Sequence, residues 1–234
     1  MLKAEKLPQD YLTRMKSLLG PEYEDYLASF SQPSSKGLRV NERKLPAGEF
    51  PALAGQPLKP VPWISNGYYL DGPWQAAKDP YYYAGLYYLQ EPSAMTPASR
   101  LPVLPGDRVL DLCAAPGGKA TELGARLKGK GLLWANDISA SRARALVKNL
   151  ELWGIPNLCV TSEDPEHLAQ VLPEFFDKIL VDAPCSGEGM FRREPEMVKD
   201  WINKGPSYYA PLQKKILSAA AAMLKPGGLL LYST

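Results

Sequence analysis

The sequence predicts an α/β chain whose larger part is a doubly wound parallel sheet, and three observations carry that reading. From about residue 90 onward, short apolar strand patterns alternate with helical stretches. The first of those strands runs straight into a glycine turn, Val109-Leu-Asp-Leu-Cys-Ala-Ala-Pro-Gly-Gly-Lys119. Acidic residues then stand just past the ends of later strands, where ligands of such sheets bind.

In chain order, residues 8–30 carry helical periodicity, with Tyr11, Leu12, Met15, Leu18 and Leu19 on one face, a Gly20-Pro21 break and a second helix ending near Phe30. Between Lys44 and Pro62 the prolines at 46, 51, 57, 60 and 62, with Gly48 and Gly55, forbid long regular elements and predict turns between short strands. Strands are expected near 108–112, 132–136, 157–161, 178–182 and 228–232, separated by helices such as 140–152 and 211–224. Ala219–Ala222 with Met223 and Leu224 suits a helix packed closely on the sheet, ended by Lys225-Pro226-Gly227-Gly228. The expected division is an N-terminal α+β region at 1–88 followed by the sheet domain at 89–234.

With 234 residues, 45% of them hydrophobic, the chain can bury a substantial core, and roughly 150 residues per domain suggests one large or two smaller domains. A formal charge of +2 supplies no global attraction for a polyanion, so any nucleic-acid affinity must come from a local patch. Cys113, Cys159 and Cys185, with the single His167, lack zinc-site spacing, so no metal is expected. The charged start, Met-Leu-Lys-Ala-Glu-Lys, and the absence of a run of about 18 apolar residues predict a soluble, cytoplasmic chain without membrane attachment.

Gly117 and Gly118 lack the Cβ atoms that would block a ligand approaching the backbone at a helix N-terminus. Asp137 follows a strand and stands 26 residues after Asp111, a separation that suits a carboxylate accepting hydrogen bonds from ribose hydroxyls; capping of the next helix is the competing role. A second segment, Val181-Asp182-Ala183-Pro184-Cys185-Ser186-Gly187, lies 71 residues after Asp111 and ends an apolar run with an acid and a thiol. Arg192 and Arg193 follow its glycine-rich turn and could grip phosphates, or form a solvated charged turn. The tyrosines at 68, 69, 81, 82, 83, 87 and 88 suit packing better than stacking on bases.

These two segments, with Arg39-Val40-Asn41 and Leu89-Gln90-Glu91-Pro92-Ser93-Ala94-Met95, resemble the RNA cytosine-5 methyltransferases of the Nop/Sun superfamily, RsmF type. The order and spacing of all the pieces carry the resemblance. It implies a Rossmann-like methyltransferase domain, C-terminally incomplete, preceded by a small RNA-binding region. It further implies S-adenosylmethionine as cofactor and RNA as partner, with 16S ribosomal RNA or the small ribosomal subunit favoured. By the same resemblance Cys113, Ala114, Ala115, Pro116, Gly117, Gly118 and Lys119 wrap the methionine end of the cofactor. Asp137 and Asp164 serve the ribose and adenine, with Glu163 able to replace Asp164 and a solvated acidic turn as the other reading of both. Asp182 joins the cofactor site, Lys119 the catalytic set, and Arg39, Arg192 and Arg193 the RNA contacts. The family usually has a hydroxyl residue after the motif lysine; Ala120 stands there, with Thr121 next.

Carbon-5 of cytosine is a poor nucleophile, so a thiolate must first add at carbon-6 to make an enamine that attacks an activated methyl group. In the resembling enzymes Asp182 would hydrogen-bond the ring nitrogen and amino group. Their nucleophile lies in a Thr-Cys pair after the fifth strand, so the expected nucleophile is a cysteine following Thr234, outside this sequence. Cys185 then assists the elimination that frees the product; its alternative is a small buried hydrophobe. An Asp/Asn-Pro-Pro-aromatic segment, expected of amino-group methyltransferases, is not present at Asp182-Ala183-Pro184-Cys185. A nicotinamide oxidoreductase would prefer G-x-G-x-x-G, which Ala115-Pro116-Gly117-Gly118 does not supply. A non-catalytic RNA- or cofactor-binding module and a transfer-RNA cytosine-5 methyltransferase are the remaining alternatives.

Overall fold

A computed structural model describes residues 6–234. The chain opens with helices α1 (Gln9–Leu19) and α2 (Tyr23–Ser29), then strand β1 (Gly37–Val40), α3 (Phe50–Ala54), β2 (Lys59–Pro60) and β3 (Gly67–Tyr69). It continues through α4 (Pro80–Tyr83), β4 (Tyr87–Leu89), α5 (Thr96–Arg100), β5 (Arg108–Asp111), α6 (Gly118–Arg126), β6 (Leu132–Asn136) and α7 (Ala140–Trp153). Last come β7 (Leu158–Thr161), α8 (Pro165–Val171), β8 (Phe176–Asp182), α9 (Met197–Asn203), α10 (Pro206–Met223) and β9 (Leu224–Ser233).

These elements fall into two compact units, one formed by the chain up to Ser34 with Pro184–Gln213 and the other by Ser35–Ala183 with Lys214–Thr234. In the first, Leu7, Tyr11, Phe30, Phe191 and Val198 make the core, with Leu12, Met15 and Trp201 packed on it. Gly20, at φ +52°, stops α1 as the Gly20-Pro21 break predicts. Leu18 is 69% exposed, however, so the apolar face of α1 is narrower than its sequence suggests.

The second unit contains two sheets. Strands β2-β3-β1-β4 form an antiparallel sheet over a core of Leu38, Val40, Phe50, Tyr68 and Tyr87. Tyr68 and Tyr87 donate their hydroxyls to the Ala47 and Ala76 carbonyls, so both serve packing and are closed to base stacking. The parallel sheet has the order β7-β6-β5-β8-β9, the doubly wound 3-2-1-4-5 pattern counted within the sheet. One face is covered by Leu123 of α6, Leu127 just after it, and Leu146, Leu150 and Trp153 of α7. Leu168 of α8 and Ile216, Ala220 and Met223 of α10 pack with Leu110, Ile179 and Val181 in a second cluster.

The expected boundary at 88/89 lies within the second unit, where Asn41 links the small sheet to the parallel one: its Nδ2 donates to the carbonyls of Gly85 and Trp153 at 2.9 Å each. One expectation needs correction. The last strand starts at Leu224 rather than 228. Phe176 pairs with Leu224 and Lys178 with Leu229, so Lys225-Pro226-Gly227-Gly228 loops out of the ladder. Pro226 has no N–H to donate and Gly227 takes φ +79°, which suits a bulge better than a clean helix stop.

Candidate active site

In an open parallel sheet the central strands end together, and whatever follows them forms a crevice. Here β5, β6 and β8 are adjacent, and they end on or just before Asp111, Asp137 and Asp182. Between β5 and α6 the chain makes its glycine turn. Gly117 is at φ +113°, a conformation strained for any side-chain-bearing residue, and an added Cβ would also press on Leu146 at 3.1 Å. Helix α6 starts with no side chain capping it, so its first N–H groups face the crevice end with a partial positive charge.

The turn is held from neighbouring strands and from α7. Ala114 N donates to the Asn136 carbonyl at 2.8 Å and Ala115 N to Asp137 Oδ2 at 3.2 Å. From α7, Arg142 donates to the Ala115 carbonyl at 2.8 Å and Asn149 to the Pro116 carbonyl at 2.7 Å. Asn136 is buried and links three strand ends, donating to the Leu112 and Glu163 carbonyls and accepting from Thr161 Oγ1 and Glu163 N. Asn136, Arg142 and Asn149 were not picked out from sequence. Nothing but their positions beside an acid and on a helix could have flagged them.

Asp137 is buried, with Oδ1 accepting from Ser139 N at 3.0 Å and Oδ2 lying 3.3 Å from Arg142. Ser139, not Asp137, is the N-cap residue of α7. Lys119 Nζ donates to Asp182 Oδ2 at 2.6 Å, and Ser233 Oγ donates to Asp182 Oδ1 at 2.7 Å. The side chain of Asp182 remains 33% exposed and open to a ligand. Asp164 is exposed and caps α8 by accepting from Glu166 N, while Glu163 pairs with His167.

Asp111 is the residue that sequence reasoning left out of the site. It is fully buried, and neither carboxylate oxygen makes a hydrogen bond of good geometry, though the Cys113 amide lies close. Burial pushes its carboxyl up to about 7, opposed by the Lys119 charge and reinforced by Asp182 and Asp137. The same burial and the neighbouring carboxylates push the Cys113 thiol up to about 12, so Cys113 is no nucleophile at neutral pH. The signal for Asp111 was present in its place at the end of the apolar Val109-Leu110 run.

Four expected residues lie in other settings. Arg39 is 1% exposed, with its guanidinium bonded to Glu122, Gly118 and Thr121, so the expectation of an RNA contact there is corrected: no phosphate can reach it. In the other unit, Arg192 donates to the Ser29 carbonyl at 3.1 Å and Arg193, half exposed, pairs with Glu194. Cys185 is partly buried and carries a free thiol. Among the described residues no group of three or more His, Cys, Asp or Glu side chains could hold a metal, and no helix is long and apolar enough to cross a membrane.

Chemically, the crevice offers amide donors for an anionic group at the start of α6 and an excess of carboxylate for a cationic one. Comparison with known proteins points the same way. Residues 98–234 match the family model described as 16S rRNA methyltransferase RsmB/F, and residues 7–92 match the N-terminal domain of 16S rRNA methyltransferase RsmF. The chain is 36% identical, over 97% of its length and 50% of theirs, to proteins named ribosomal RNA small subunit methyltransferase F from Escherichia coli O7:K1 and Shigella boydii serotype 18. It thus spans about half the length of the curated relatives it matches. A methyltransferase homologue from Pyrococcus horikoshii superposes with TM-score 0.83 at 30% identity, covering 97% of this chain and 73% of that one. NSun6 from the same organism superposes with TM-score 0.86 at 20% identity, covering 99% and 83%, a likeness of fold.

The raised Asp111 carboxyl has a consequence for stability. Its folded value lies above the ordinary carboxylate value of 3.8, so the folded state holds this proton more tightly than the unfolded chain. The stability it favours is complete below about pH 4 and is lost as pH rises through about 7. Asp111→Asn should therefore gain stability relative to the parent as pH is raised from 4 to 8, measured by urea unfolding. A constant difference across that range would show that Asp111 does not titrate as described.

Proposed function

We propose, on the premise that the chain belongs to the 16S rRNA methyltransferase RsmB/F family, that it binds S-adenosylmethionine and forms part of an enzyme that methylates carbon-5 of cytosine in small-subunit ribosomal RNA. The observation that carries this reading is the 2.6 Å bridge from Lys119 to Asp182. It joins the glycine turn to Asp182 at the end of β8, two places far apart in sequence.

The residues present fit the cofactor's charges. The start of α6 and residues 113–119 would receive its carboxylate and Asp182 its positive charges, with the buried Asp111 acting on them only through its field, while Asp137 would receive the ribose hydroxyls. Ile138, 67% exposed beside Asp137, offers an apolar surface for the base, and its carbonyl accepts from Ser162 Oγ, two residues before Asp164. When bound, S-adenosylmethionine supplies the activated methyl group. Asp182 would hydrogen-bond the cytosine ring nitrogen and amino group, stabilising the charge that develops as a thiolate adds at carbon-6. In this reading the adding thiolate belongs to a cysteine following Thr234. Once carbon-5 carries the methyl group and the demethylated cofactor has been released, Cys185 would assist loss of the carbon-5 proton, the step that expels the thiolate. Arg193 is the exposed basic side chain of the Arg192-Arg193 pair that supports RNA contact. The protein would act on its RNA in the cytoplasm.

Calorimetric titration with S-adenosylmethionine should show one site, and Asp137→Ala should weaken it by about 1–3 kcal/mol, roughly 5- to 150-fold, from loss of charged hydrogen bonds. Equal affinity in the variant would remove Asp137 from the site.

For the chemistry, a protein carrying the cysteine after Thr234 should form 5-methylcytosine in 16S RNA. Its Cys185→Ala variant should trap a gel-stable RNA adduct, because addition proceeds and elimination stalls. No adduct from Cys185→Ala, with one from the variant lacking the following cysteine, would make Cys185 the nucleophile.

A further inference from the structure

A buried arginine sits behind the glycine turn without touching the crevice. Arg39, on β1, donates from Nη2 to the Gly118 carbonyl and to Thr121 Oγ1, both at 2.7 Å, and from Nη1 to Glu122 Oε2 at 2.6 Å. Its Nε lies 3.4 Å from Gln90 Oε1, and its guanidinium stacks 5.0 Å from the Trp153 ring centre. Glu122 is filled in turn, accepting from Asn66 Nδ2 at 3.2 Å and from Arg126 Nε at 2.8 Å. Gly118 is pressed from the same sheet, since an added Cβ would lie 2.9 Å from Gln90 Nε2.

Two physical points separate this arrangement from ordinary packing. A desolvated ion pair is seldom more stabilising than apolar side chains of equal volume, so stability alone gives little reason for it. A cation against the first turn of a helix also opposes the helix dipole, and Glu122 is needed to compensate. What the guanidinium fork does supply is direction: two of its bonds fix the Gly118 carbonyl and the Thr121 hydroxyl in the first turn of α6.

We propose that Arg39 and Glu122 are positioning residues, which lock the first turn of α6 to the small antiparallel sheet and so hold the turn's N–H groups in their cofactor-binding geometry. The inference rests on the S-adenosylmethionine reading above, and it gives the N-terminal sheet a part in cofactor binding.

The test compares this chain with Arg39→Met/Glu122→Met, Arg39→Lys and Asn41→Ala by calorimetric titration with S-adenosylmethionine, thermal unfolding and amide hydrogen exchange over residues 117–122. The double variant, which leaves no unpaired buried charge, should unfold within a few degrees of the parent, exchange faster in the turn and bind at least tenfold more weakly. Arg39→Lys, able to pair with Glu122 but not to fork to Gly118 and Thr121, should fold and bind with intermediate affinity. Asn41→Ala removes two buried hydrogen bonds away from the turn; it should unfold earlier yet bind within about twofold of the parent. Parent-like affinity in both Arg39 variants would overturn the proposal, as would affinity that simply follows stability across all four proteins. A parent that binds no S-adenosylmethionine would instead overturn the cofactor reading, and unchanged exchange in the turn would still count against the positioning role.

Discussion

Carboxylate crowding at the ends of adjacent parallel strands is the constraint around which the site is organised. Asp111, Asp137 and Asp182 are brought together by the strand order alone, and Asp111 is held where water cannot solvate its charge. Lys119 and Arg142 each neutralise one neighbour, Asp182 and Asp137 respectively. Asp111 is left with a raised carboxyl, a cost that folding readily avoids unless the charge has a use. In the proposed reading a cationic ligand at the strand ends would provide that use.

The glycine turn depends on the same constraint. Asp137 does not merely wait for a ligand, because its Oδ2 accepts from Ala115 N and so couples the acid at the end of β6 to the backbone after β5. Arg142 faces both, donating to the Ala115 carbonyl while pairing with Asp137. Arg39 and Glu122 hold the following helical turn from β1. Asp137, Asp182 and the glycine turn are thus each held in part by groups outside the turn, Ser139, Ser233, and Arg142 with Asn149 respectively, the condition for a site held to a fraction of an ångström.

Much of this was legible in the sequence. Apolar runs ending in an acid, followed by glycines, place β5, β6 and β8 and their terminal residues within a residue or two of the strand bounds found. Lys119 and Asp182 were both named, but only the fold shows them in contact. What escaped were features set by tertiary context. Arg39 reads as a basic residue near the N-terminus, and nothing local says that Glu122, 83 positions later, will bury it. Lys225-Pro226-Gly227-Gly228 reads as a helix stop, and α10 does end at Met223, but the same segment also bulges out of the strand that follows, which only the pairing with β8 reveals.

The most direct test of the crowding account is cofactor affinity as a function of pH. Ionised Asp111 would face Lys119, Asp182, Asp137 and the Cys113 thiol, with the ligand's positive charge as its missing partner. Calorimetric titration with S-adenosylmethionine between pH 5.5 and 8 should show affinity rising through about pH 7 in the parent, and that rise should vanish in Asp111→Asn. The same pH dependence in both proteins would contradict the claim that the buried carboxylate is there to meet a cation.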